Sequence, residues 1–211
     1  MNDKPATYPF VSSSRKRKQN WVKPGFDLQS SITATTGEII EFAGPSRNGY
    51  YYLKNVVFPR KIEITNRYKD GAFFLPEHQE LAKQHISRLL DVTNMKLKPS
   101  SVGVALISYL DIAEDKFFKN NSTDLVIKRV NHELEHLIAG KLRNPHYSLR
   151  AIFIKKAREF IEPDGLVIIE QFSELELAYA QVLGFEIMAY NGIHTDTDGT
   201  FYQSVVLQAL K

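Results

Sequence analysis

The sequence predicts an α/β protein: a Rossmann-like three-layer sandwich with a mostly parallel central sheet and an antiparallel last strand. Three observations predict it. Strand-like apolar runs alternate with helical patterns through most of the 211 residues. Two runs, residues 101–108 (SVGVALIS) and 166–170 (LVIIE), are apolar almost throughout, as strands covered on both faces are. The last two strand patterns are separated by a turn-forming stretch, Thr195-Asp-Thr-Asp-Gly199, where the earlier ones are separated by helices.

In chain order, residues 1–24, rich in Ser, Lys, Pro and Asn, read as a flexible basic N-terminal arm whose end Trp21 pins to the body. Residues 27–34 form a short lead-in helix. Residues 38–43 (EIIEFA) form a buried strand, followed at once by Gly44-Pro45-Ser46. Residues 50–55, after Asn48-Gly49, make a helical piece, and 60–66 (RKIEITN) a second strand. Helical apolar spacing follows Pro76 across 74–87, and 88–92 is a third, short strand. After strand 101–108 comes an asparagine-rich connection, then a long helix over 124–142 and another over 149–161. Glu162-Pro163-Asp164-Gly165 stops the latter, and strand 166–170 follows. Residues 174–183 are a helix closed by Gly184 in the position after the C-cap. Residues 185–190 and 202–209 are the final strands.

Composition narrows the function classes. A hydrophobic share of 43% with 13 Phe and 10 Tyr supports a real core. With 11 Gly, 9 Pro and no recurring period, collagen and repeat arrays are excluded. The absence of Cys removes disulfide scaffolds, thiolate zinc sites, iron–sulfur clusters and cysteine nucleophiles. No apolar run approaches the roughly 20 residues a membrane span needs. The first 20 residues hold SRKRK where a signal peptide would be apolar, so a soluble cytoplasmic protein is expected. Those residues carry five basic side chains against Asp3, a net of +4, which leaves −1 for the rest of the chain. The arm can touch nucleic-acid phosphates, but a solvated segment is favoured over nucleic-acid binding. No Walker lysine points to nucleotide hydrolysis, and no G-x-S-x-G elbow starts a Ser-His-Asp triad.

Chemistry concentrates at strand ends. Glu41-Phe42-Ala43-Gly44-Pro45-Ser46 ends the first long strand with a carboxylate, small residues and a turn, a pattern that lets backbone approach a ligand. Asp91, followed by Val92 and, four positions on, Met95, suits the edge and face of an adenine. Tyr50, Tyr51 and Tyr52 beside the first motif are read as core residues, with pocket lining as the alternative.

This succession, over residues 37–210, resembles the class I S-adenosylmethionine-dependent methyltransferases. The resemblance implies that residues 25–211 form a methyltransferase-like domain using S-adenosylmethionine as cofactor. Carried over residue by residue, Glu41, Ala43, Gly44, Pro45 and Ser46 match the family's first motif, usually acid-x-Gly-x-Gly. Asn66 stands where an acid normally holds the ribose hydroxyls, Asp91 with Val92 matches the adenine position, and Ser108 lies beneath the methionine moiety. Ala43 and Pro45 replace the two usual glycines, and Pro45 lacks an N–H donor. The resemblance names no catalytic base and no acceptor, a small molecule being favoured. A non-catalytic methyltransferase-like binding module is the competing reading.

A metal site is the sharpest rival. Asn131-His132-Glu133-Leu134-Glu135-His136 contains H-E-x-x-H on a helix, where two imidazoles on one face bind Zn²⁺ beside a general-base glutamate. The extended ligand pattern fails, because Gly140 and His146 stand at the wrong spacing. A solvated face carrying His132, Glu133, Glu135 and His136, with Val130, Leu134, Leu137 and Ile138 inward, is favoured, and no metal is assigned.

Overall fold

Residues 102–107 are the axis of the sheet. Every one is buried, so this strand is covered on both faces, and its parallel neighbours follow the same rule. The computed structural model describes residues 20–45, 50–67, 85–108, 122–195 and 201–211. Its strands are β1 (Trp21–Val22), β2 (Glu38–Phe42), β3 (Ile62–Asn66), β4 (Arg88–Leu89), β5 (Val102–Ile107), β6 (Ile161–Glu170), β7 (Phe185–Thr195) and β8 (Phe201–Ala209). Among the described residues the helices are α1 (Leu28–Ala34), α2 (Thr123–Ile138), α3 (Leu149–Phe160) and α4 (Glu174–Val182), with a 3₁₀ turn at Tyr51–Leu53.

The strands form one sheet in the order β1-β7-β8-β6-β5-β2-β3-β4. β8 lies antiparallel between β6 and β7, and β1 is antiparallel to β7. The other six run one way. The mostly parallel sheet with an antiparallel last strand is therefore as the sequence predicts. Alternation divides its core into two layers. Ile40, Phe42, Ala105, Ile107, Val167 and Ile169 face α3 and α4, where Phe42 packs on Phe153 and Phe160 with ring centroids 5.1 and 5.5 Å away. Ile39, Val104, Leu106, Leu166 and Ile168 face α1 and Tyr50.

Several elements differ from expectation, each for a physical reason. Trp21 and Val22 are not part of an irregular arm. They pair with Tyr190 and Ala189, and the Lys23 N–H donates to Met188 O at 2.8 Å, which covers the open edge of β7. Residues 1–19 lie outside the described residues. The helical piece after the first motif is only the Tyr51–Leu53 turn. The strand expected over 88–92 stops at Leu89, because Asp91 Oδ1 accepts from the Thr93 N–H at 2.8 Å and turns the chain out of the sheet. The helix expected to reach residue 142 ends at Ile138. Gly140, at φ +68°, donates to Leu137 O and Lys141 to His136 O, a Schellman closure.

β6 begins at Ile161, ahead of the Glu-Pro-Asp-Gly stretch read as a stop, and its pairing with β5 shifts register between Val102 and Val104. Asp164 takes φ +63° in that irregularity. α4 matches expectation, with a Ser173–Glu176 capping box and Gly184 at φ +85°. The expected helix over 74–87 falls almost wholly outside the described residues. Among the described residues no helix is long and apolar enough to cross a membrane.

Candidate functional site

The chain leaves β2 toward β3 and leaves β5 toward β6, so strand order reverses between β2 and β5. In open α/β sheets the crevice at such a reversal, outside the carboxyl ends of the strands, is where ligands bind. Period-2 alternation decides which side chains reach it. Glu41 follows Ile39 onto the α1 face, Ser108 follows Leu106, and Glu170 follows Ile168. Across the sheet, Glu170 is paired with Ser204, and Ser204 with Asn191. Glu41, Ser108, Glu170, Ser204 and Asn191 therefore make a polar band across five strands, and none is more than 7% exposed.

Tyr50 and Tyr51 lie over that band. The Tyr50 hydroxyl donates to Glu41 Oε1 at 3.2 Å and is hydrogen-bonded to Ser108. The Tyr51 N–H donates to Glu170 Oε1 at 2.8 Å, and the Ser204 hydroxyl donates to Glu170 Oε2. Burial, reinforced by the Glu41 carboxylate, pushes the Tyr50 phenol well above its ordinary pKa, against a smaller opposing effect of the Ser108 hydrogen bond. Burial, with Tyr51 and Glu170 nearby, likewise pushes Tyr52 well up.

A raised phenol pKa binds the proton longer in the folded than in the unfolded state. Stability should thus be unaffected below the unfolded value near pH 10 and fall as pH rises beyond it. Absorbance at 295 nm checks this: Tyr50 and Tyr52 should stay un-ionised in folded protein at roughly pH 11 and ionise only on unfolding.

The first-motif residues meet the end of β3. Ala43 takes φ +55°, a left-handed conformation that glycine adopts without strain. The Gly44 N–H donates to Thr65 O at 2.9 Å, while Gly44 O accepts from Asn66 Nδ2 at 2.7 Å. A Cβ on Gly44 would lie 2.7 Å from Glu41 Cδ, so any larger residue there would have to displace the Glu41 carboxylate. Pro45 follows through a cis peptide bond, and Ser46 lies outside the described residues. Asn66 is buried and commits an amide N–H to the motif loop.

Asp91 joins the same edge through Arg67, whose Nε is 3.3 Å from Oδ2, while Oδ1 accepts from the Thr93 N–H and hydroxyl. Val92 and Met95 are buried in the core layer that faces α3 and α4. The structure thus brings Glu41, Ala43, Gly44, Pro45 and Asn66 together, ties Ser108 to Glu41 through Tyr50, and places Asp91 beside the end of β3.

The H-E-x-x-H stretch takes a different role at its centre. Glu133 is buried, not part of a solvated face, and its carboxylate accepts from the N–H groups of His146, Tyr147 and Ser148 at 2.6, 2.9 and 3.3 Å. A carboxylate used to close the turn before α3 is not a water-activating base. The His132 and His136 rings lie with centroids 4.3 Å apart, tilted by 36°. Among the described residues no group of three or more His, Asp or Glu side chains is placed to hold a metal ion.

Sequence reading missed Glu170, Ser204 and Asn191. The only signal was a polar residue flanking each apolar run, after it at Glu170 and Asn191 and before it at Ser204, which becomes informative once register aligns the runs.

No family model matches the chain, and no curated protein sequence does. Similar solved structures include an S-adenosylmethionine-dependent methyltransferase from Methanosarcina mazei, at 10% identity and TM-score 0.48, over 88% of this chain and 98% of that one. A putative type 11 methyltransferase from Sulfolobus solfataricus shares 12% identity at TM-score 0.44, over 90% and 94% of the two chains. A geranyl diphosphate methyltransferase in complex with GPP and sinefungin shares 11% at TM-score 0.45, over 82% and 71%. The fold follows from strand direction, which is as the sequence predicts, and from strand order, which the structure supplies. The chain has a Rossmann-like α/β fold, with β8 antiparallel between β6 and β7.

Proposed function

We propose that the protein is an S-adenosylmethionine-dependent methyltransferase acting on a small-molecule acceptor in the cytoplasm, with residues 25–211 as the methyltransferase-like domain. The observation that carries this reading is the convergence, at the β2/β5 reversal, of the first-motif backbone, Asn66 and Ser108, with Asp91 beside the end of β3. The residues fit the cofactor in kind. Asp91 would accept from the adenine amino group, Asn66 would face the ribose, the backbone of Ala43, Gly44 and Pro45 would lie along the cofactor, and Ser108 would lie beneath its methionine end. The cofactor supplies a methyl group already activated on a sulfonium sulfur. What the chain must supply is binding, orientation and exclusion of water.

Calorimetric titration with S-adenosylmethionine and S-adenosylhomocysteine tests the reading. Asp91→Ala should weaken binding roughly tenfold or more, since a hydrogen bond to a charged group is worth about 1.5–3 kcal/mol. His132→Ala, on the exposed face of α2, should leave it nearly unchanged. Absence of binding at millimolar ligand would overturn the enzyme reading. It would favour a non-catalytic binding module, which the strained Ala43 and the donor-less Pro45 in the first motif support.

A further inference from the structure

In a sheet whose strand order reverses, the connections leaving the two central strands diverge, and the gap between them is open by construction. Here it is bridged. Tyr50 belongs to the connection that leaves β2 toward β3, yet its side chain reaches back across the reversal to the end of β5. The segment bonds three adjacent strands in turn: Glu41 on β2 and Ser108 after β5 through the Tyr50 hydroxyl, and Glu170 on β6 through the Tyr51 N–H.

The Tyr50 ring packs in the apolar layer with Ile39, Val104 and Leu106, a place phenylalanine would fill equally well. The hydroxyl is the group that closes the crevice. We propose that Tyr50 is a displaceable plug, occupying the ligand position at the β2/β5 reversal until an incoming ligand takes over its hydrogen bond to Glu41. That ligand must bring its own donor to the carboxylate, an ammonium or a hydroxyl. The proposal rests on the methyltransferase reading for its choice of ligand.

Tyr50→Phe keeps the ring and removes both hydroxyl contacts; Tyr50→Ala removes the plug itself. Thermal unfolding establishes that each variant folds. Tyr50→Phe should bind S-adenosylhomocysteine about tenfold or more tighter than wild type, because the ligand no longer works against the closed state. Hydrogen exchange gives a second readout. Ligand should speed exchange of the Tyr51 amide in the wild type, the opposite of ordinary protection, because displacement frees it from Glu170.

Equal or weaker affinity of folded Tyr50→Phe, with slower Tyr51 exchange on binding, overturns the plug and leaves the methyltransferase reading intact. Absence of binding by wild type and both variants overturns that reading and the plug with it.

Discussion

Glu176→Ala should lower the free energy of unfolding by about 3 kcal/mol, more than an ordinary surface change by a wide margin. Glu176 is 2% exposed at the start of α4. Its carboxylate accepts from the Ser173 N–H at 2.7 Å, the Ser148 hydroxyl at 2.8 Å and Arg150 Nε at 2.9 Å. Ser148 in turn caps α3 by accepting from the Ala151 N–H at 3.0 Å. One side chain therefore closes the N-termini of two helices and neutralises a guanidinium that is only 23% exposed.

Truncation takes the acceptor from the Ser173 N–H and the Ser148 hydroxyl, and that loss, more than the lost ion pair, sets the magnitude. For a chain of this size the loss corresponds to a fall in Tm of about 6–12 °C. Glu176→Gln, which keeps one acceptor oxygen, should lose markedly less. Chemical denaturation of the three proteins checks both statements, and an Ala variant within about 0.5 kcal/mol of wild type would contradict the account.

Glu162→Ala should cost about 2–3 kcal/mol by the same measurement. Its carboxylate, 9% exposed, accepts from the Thr36 N–H and hydroxyl at 2.8 and 2.9 Å and from the Gly37 N–H at 2.8 Å, joining residues more than 120 positions apart in sequence. The contact fixes where β2 begins relative to β5 and β6. Gly37 and Gly103 allow it: a Cβ on Gly37 would stand 2.5 Å from Gly103 N, and one on Gly103 would stand 2.7 Å from Thr35 Cβ. A loss at Glu162 accompanied by weaker cofactor binding would show that this amino-terminal clamp also sets the geometry at the opposite, carboxyl ends of β2 and β5.

How much of this was legible depends on the range of the physics involved. Runs such as residues 101–108 and 166–170 announce buried parallel strands because burial on both faces requires apolar side chains at every position. Gly184 is a local signal acting within one turn, and it closes α4 as expected, while the equally local Ser173–Glu176 capping box at the other end went unread. Asp91 misled the strand boundary because an aspartate can bond its own backbone two residues on, a competition that apolar pattern does not register. Glu133 misled more deeply. In the helix pattern it falls on the polar side, yet three N–H groups from residues 146–148 converge on it and make burial favourable.

The sequence by itself determined the fold class, the mostly parallel sheet and the antiparallel insertion near the end. Those follow from which residues avoid water and from turn chemistry, both of which act over a few positions. Only the tertiary structure decided that Glu41, Ser108, Glu170, Ser204 and Asn191 form one buried band, and that Tyr50 closes it at the β2/β5 reversal. Those facts depend on strand register and on contacts between distant segments. A one-residue slip would turn every member of the band to the opposite face of the sheet, and that register is fixed by the packing of the two core layers, which no local pattern encodes.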